Sequence, residues 1–125
     1  MVRHWTFVVA CCAASLAHAQ NVDVRFDADG QFAHSGAVAP GQALELCAPL
    51  GAAQAVDSRF SATGALDYNV HHHVGDEVVY LELEKGIDRH VGRLEPESAD
   101  TYCWMWENKG SAAVNVNAAL QRGAG

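Results

Sequence analysis

Apolar and polar residues alternate with a period of two in nearly every patterned segment of this chain. Val22, Val24 and Phe26 alternate with Asp23, Arg25 and Asp27, and Leu44 and Leu46 alternate with Glu45 and Cys47. Val56, Ser58 and Phe60, then Leu66, Tyr68 and Val70, alternate with Asp57, Arg59, Asp67, Asn69 and His71. Val79, Leu81 and Leu83, the run from Ile87 to Arg93, the aromatic segment 101–107, and Val114, Val116, Ala118 and Leu120 complete the set. Successive side chains of an extended backbone face opposite ways, so each segment reads as a half-buried strand. Turn-forming pairs separate the segments: Asp29-Gly30, Pro40-Gly41, Thr63-Gly64, Gly75-Asp76, Lys85-Gly86 and Lys109-Gly110. Beyond the N-terminal region no segment has the spacing of an amphipathic helix. The pattern predicts an all-β fold, an antiparallel β-sandwich or jelly roll of about eight strands, with residues 121–125 as a loose tail.

The N-terminus follows a different rule. Arg3 and His4 precede an apolar run from Trp5 to Leu16, and Ala17-His18-Ala19 has the small-x-small form cut by signal peptidase. The run falls short of the roughly 20 residues that a membrane helix needs. Residues 1–19 therefore read as a signal peptide and 20–125 as a single β-sandwich domain, periplasmic or secreted, without a membrane span. Val8-Val9-Ala10-Cys11 also imitates a lipoprotein cleavage box, with only seven residues before it.

Loss of the signal removes Cys11 and Cys12 and leaves Cys47 and Cys103. In an oxidising compartment these most simply form one disulfide, and two thiolates on a soft metal are the alternative where they stay reduced. The formal charge of −7 argues against nucleic acid or an anionic membrane as partner, since both attract basic surfaces.

Two clusters carry candidate chemistry. His71, His72 and His73 are consecutive in a strand-like run and are followed by Val74-Gly75-Asp76-Glu77. Alternation places His72 with Leu66, Tyr68 and Val70 toward the core, and His71 and His73 together on the other face. Two imidazoles at that spacing, with Glu77 as a third ligand, suit a transition metal such as copper or zinc. The second cluster is Tyr102-Cys103-Trp104-Met105-Trp106. A disulfide normally faces the core, which directs Cys103 and Met105 inward and leaves Trp104 and Trp106 exposed as a partner-docking or cation–π surface. The alternative packs the tryptophans under a loop.

Cys47 to Leu120, with Asp100-Thr101-Tyr102-Cys103-Trp104-Met105-Trp106-Glu107-Asn108 as its signature stretch, resembles the GOLD domain, the lumenal β-sandwich of secretory cargo receptors. That resemblance implies a sandwich, a Cys47–Cys103 bridge and a habit of binding proteins or ligands. Gly64, His71, His73, Glu77 and Gly86 resemble the first metal motif of cupins, which implies His71, His73 and Glu77 as ligands. Ser58, Ser61 and Ser98 lack any nucleophile motif, and no phosphate-binding glycine loop occurs. The reading is an exported binding module rather than an enzyme. It takes either a metal ion through His71 and His73 or a protein partner through Trp104 and Trp106, with a cupin-like metalloenzyme behind both.

Overall fold

A computed structural model describes residues 19–123. The signal peptide expected over residues 1–19 lies outside the described residues except for Ala19, which begins the first strand. The described chain is all β, with seven strands: β1 Ala19–Asp23, β2 Gln31–Val38, β3 Ala43–Leu50, β4 Val56–Val74, β5 Glu77–Leu94, β6 Asp100–Glu107 and β7 Val114–Arg122. The count differs from the expected eight in three places. Segments 56–60 and 66–70 belong to the single strand β4, segments 79–84 and 87–93 belong to β5, and β2 is additional. Thr63-Gly64 and Lys85-Gly86 are bends inside continuous strands rather than turns between strands. The register of β4 against β5 shifts between Ser61 and Leu66, and again between Leu66 and Tyr68. Across the bend the Gly86 N–H donates to Asp67 Oδ1 at 3.0 Å. Gly64 packs closely there, where a β-carbon would come within 3.1 Å of the Val114 side chain.

All seven strands form one sheet in the order β1-β3-β6-β4-β7-β2, with β5 on the other edge of β4. β1 runs parallel to β3 and the other pairs are antiparallel, so the sheet is mixed. One edge of β4 serves two neighbours: Val56 to Ala62 pair with β7, and Asp67 to His72 pair with β6. The sheet thereby curls around its core as a half-barrel. The expected jelly-roll sandwich of two separate antiparallel sheets gives way to this single curled sheet, because β4 passes through both halves without a break. The expected loose tail is also partly strand, since β7 runs to Arg122, whose N–H donates to the Gly30 carbonyl at 2.7 Å.

The core forms on the concave face. Leu44, Trp106 and Tyr68 make one rung across β3, β6 and β4, and Leu46, Trp104 and Val70 make the next. From the β7 half, Val56, Phe60, Val116 and Leu120 close over them. The Phe60 ring meets Trp106 edge-on, with centroids 5.4 Å apart. Residues between these rungs point to the convex face, which puts Cys47 opposite Cys103 there. The two cysteines are joined in a disulfide across 56 positions of sequence. Closing a loop of 56 residues stabilises the fold by about 4 kcal/mol in the chain-entropy account. Reductant, or Cys47→Ala with Cys103→Ala, should lower the urea unfolding free energy by that order. An unchanged midpoint under reductant would show that the bridge contributes nothing.

Candidate functional site

The histidine run lies at the far end of β4, where β5 and β6 flank it. Direct cross-strand partners share a face, and His71 is opposite Cys103 on one side and Tyr80 on the other. His71 therefore belongs to the convex face with Cys47, Cys103 and Glu45. His73 shares that face, its ring edge-on to His71 with centroids 5.3 Å apart. His72 points the other way and stacks on Tyr102 at 4.7 Å. Its Nδ1 lies 2.9 Å from Asp100 Oδ2. Tyr102 in turn donates its hydroxyl to the Ser98 carbonyl at 2.8 Å. The hydrogen bond from His72, helped by the Thr101 N–H, holds the Asp100 carboxyl below the usual carboxylate range.

His71 is enclosed although it faces away from the core. Its Nδ1 lies 2.7 Å from Asn69 Oδ1, and Nε2 lies 3.0 Å from Glu45 Oε1. Tyr80 covers the ring from β5, with centroids 6.1 Å apart. Burial pushes the imidazole below its ordinary pKa and outweighs the opposing pull of the Glu45 carboxylate, while His73 and His72 add to the depression. The group is a braced, neutral-leaning ring within a hydrogen-bonded network.

The three expected ligands do not converge in this arrangement. Both nitrogens of His71 are directed at side-chain oxygens, Asn69 Oδ1 and Glu45 Oε1, rather than toward His73 and Glu77. Glu77 lies opposite Val74 at the hairpin tip, exposed to solvent. Among the described residues the one group of three ligand-type side chains within 4.8 Å is Glu45, His71 and Cys103, and the sulfur of Cys103 is committed to the disulfide. His71, His73 and Glu77 are not brought together as a ligand set.

The expected tryptophan surface is inverted as well. Trp104 and Trp106 are each 1 % exposed, and Cys103 and Met105 take the convex face. The signal that decides this lies in β3. Leu44 and Leu46 alternate with Glu45 and Cys47, so a bridge from Cys47 belongs on the face that the leucines leave. Cys103 must follow it there, and the indoles must take the core.

A second polar cluster sits inside the curl. The Tyr68 hydroxyl donates to Glu82 Oε2 at 2.8 Å, and His90 Nε2 lies 3.9 Å from the same oxygen. Burial, reinforced by the Glu82 carboxylate, pushes the Tyr68 phenol well above the ordinary tyrosine range. Glu82 lies directly over Gly92, where a side chain would collide with its carboxylate. This cluster fixes the two halves of β5 against each other and offers no activated nucleophile.

The surface that sequence reasoning missed is the outer part of the β4–β5 hairpin. Val74, Val78, Tyr80, Leu81 and Leu83 are exposed there, Tyr80 by 53 % and Leu83 by 58 %. Strict alternation would have buried Leu81 and Leu83 with Val79. A bulge intervenes, because Val70 is opposite Glu82 while the next residue, His71, is opposite Tyr80. Leu81 is the extra residue and shifts the parity of everything beyond it.

No protein-family model matches the chain, and no curated protein matches it in sequence. The fold, in contrast, has relatives among solved structures. PliG of Aeromonas hydrophila, a periplasmic inhibitor of g-type lysozyme, aligns with a TM-score of 0.65 at 14 % identity, over 86 % of this chain and 100 % of that one. PliG of Salmonella Typhimurium, described in the same words, gives 0.56 at 14 % identity over 83 % and 98 %. The Yersinia pseudotuberculosis-derived mitogen gives 0.58 at 9 % identity over 76 % and 87 %. The likeness is to this PliG-type fold, which corrects the resemblance to GOLD domains and to cupins. With it goes the reading as a copper- or zinc-binding module. Two of these structures are described as lysozyme inhibitors, that is, as binders of a protein, and His71 is directed at Asn69 and Glu45.

The state of His71 has a consequence for stability. A histidine whose folded pKa lies below its unfolded value of about 6.5 resists protonation in the fold, while the unfolded chain accepts the proton. Stability is fullest above the unfolded value, falls as the pH drops through it, and levels off below the folded value. Urea unfolding of the wild type should therefore lose more free energy between about pH 7.5 and 5 than unfolding of His71→Gln. Equal losses in the two proteins would show that His71 is not the titrating group.

Proposed function

We propose that this protein is an exported inhibitor that binds and blocks a lysozyme of the g-type. The observation that carries the reading is the alignment of the fold with the entire length of the Aeromonas inhibitor at a TM-score of 0.65. Three features of the chain support it. The signal-like N-terminus and the Cys47–Cys103 bridge belong to a periplasmic or secreted protein, the compartment named for the neighbours. The formal charge of −7 suits a basic protein as partner. The exposed apolar side chains of the β4–β5 hairpin offer contact area that a folded monomer does not use. No helix among the described residues is long and apolar enough to cross a membrane.

In this reading the protein acts by occupancy, and its own side chains carry out no chemistry. The partner is held against a preformed sheet surface, and lysis stops because the enzyme can no longer engage the cell wall. Rigid β-structure around the disulfide favours such binding, since little is left to order on association.

The test is a turbidity assay of peptidoglycan lysis by a g-type lysozyme, titrated with the mature protein. Inhibition should saturate near one inhibitor per enzyme and should be much weaker against c-type and i-type lysozymes. Undiminished lysis at a large molar excess over the g-type enzyme would overturn the reading.

A further inference from the structure

The β4–β5 hairpin departs from the rest of the surface in two independent ways. Among the described residues every exposed large apolar side chain lies between Val74 and Val91, and Val74, Val78, Tyr80, Leu81 and Leu83 gather in its outer part. No Lys or Arg occurs between Arg59 and Lys85, whereas Asp67, Asp76, Glu77, Glu82 and Glu84 do. Asp67 and Glu82 are engaged within the hairpin, as acceptors for Gly86 and Tyr68. Asp76, Glu77 and Glu84 are exposed, Asp76 at the turn, and Glu77 and Glu84, opposite Val74 and Tyr68, on the concave face of the same hairpin.

This patch has a fixed shape. Val78 is opposite His73, Tyr80 opposite His71 and Leu83 opposite Asn69, so the three share the convex face. The bulge at Leu81 makes that possible for residues three apart, since unbroken alternation would separate Tyr80 from Leu83. His71, held between Asn69 and Glu45, forms the floor beneath Tyr80. Among the described residues β5 pairs with β4 alone, so no described strand lies along its far edge.

An aromatic anchor on a braced floor with aliphatic neighbours has the composition of a protein-binding hot spot, and the free charges of the outer hairpin that carries it are all negative. The charge selects the occupant. A second copy of this chain docked through the same hairpin would bring carboxylates against carboxylates, which is unfavourable. A basic protein would meet only complementary charge on the outer hairpin, close enough to steer its approach. We infer that the outer β4–β5 hairpin, from Val74 to Glu84, is the docking surface for a basic protein partner. Tyr80 and Leu83 are its anchors, and Asp76, Glu77 and Glu84, at the turn and on the other face of the hairpin, supply the long-range steering charge. The inference rests on the lysozyme-inhibitor reading, which makes the basic partner the g-type enzyme itself.

The test measures binding of the full mature protein to a g-type lysozyme by calorimetry and by association kinetics at several salt concentrations. Tyr80→Ser with Leu83→Ser should weaken binding by roughly 30-fold or more, the loss expected for hot-spot anchors. Glu77→Lys with Glu84→Lys should slow association by about tenfold and flatten its salt dependence, with a smaller effect on dissociation. Asp23→Lys with Asp29→Lys, outside the hairpin, should change affinity by no more than about twofold. Near-ultraviolet circular dichroism of the buried indoles checks each fold, and Leu83→Gln alone replaces the double variant if that one unfolds.

Tight binding that the hairpin variants leave unchanged would overturn the inference and leave the inhibitor reading intact. Failure of the wild type to bind would overturn the inhibitor reading, and the inference with it. A wild-type dimer that the hairpin variants dissociate would give the surface to a second copy and overturn the inference in favour of self-association.

Discussion

Everything in this molecule follows from the double use of one edge of β4. A backbone edge offers a single row of N–H and C=O groups, and here Val56 to Ala62 are taken by β7 while Asp67 to His72 are taken by β6. Two strands cannot lie side by side on one row, so they lie end to end and diverge from the bend near Gly64. The sheet has to curl, and curling brings the β2–β7 half over the β1–β3–β6 half. The enclosed space is filled by Phe60, Tyr68, Trp104 and Trp106. On the opposite edge β5 follows β4 through the same bend, which its bulges and Gly86 allow.

The core accepts one polar penalty for its aromatic content. The indole N–H groups of Trp104 and Trp106 are buried with no hydrogen-bond partner among the described residues. Each unsatisfied donor costs about 1–3 kcal/mol. An indole that removes roughly 200 Å² from water contributes about 5 kcal/mol at about 25 cal/mol per Å². Burial therefore wins at both positions, and exposing either indole as a docking group would forfeit it. The disulfide takes the convex face because the concave one is already full.

The same geometry separates support from function. His71, Asn69 and Glu45 are too enclosed and too fully hydrogen-bonded to act on a ligand, yet they hold Tyr80 in place from below. A half-barrel with a long edge that no described strand covers and a fixed convex face is suited to meeting another protein. The solved structures that share the fold include lysozyme inhibitors and a mitogen, so the scaffold by itself does not select a partner. The side chains of the hairpin do that, through their charge and apolar area.

Alternation by itself determined that residues 19–123 are all β, and Cys47 and Cys103 offered the bridge that the structure contains. It also determined that His71 and His73 share a face opposite to His72. It left β2 unread, because Phe32, His34, Gly36 and Val38 make a weak apolar face beside the small residues Ala33, Ser35 and Ala37. Period two assigns residues to two faces without saying which one the rest of the protein will cover. The leucines flanking Cys47 carried a signal for the answer once the bridge is given, and the pairing of Trp104 with Leu46 and Val70, and of Trp106 with Leu44 and Tyr68, put the indoles inside. A glycine in a strand can mark a turn or a bend, and whether Gly64 and Gly86 ended their strands depended on neighbours distant in sequence. The docking face was hidden for a related reason. A one-residue bulge reverses every side chain beyond it, and its position is set by the register of β4 against β5, which no local pattern records.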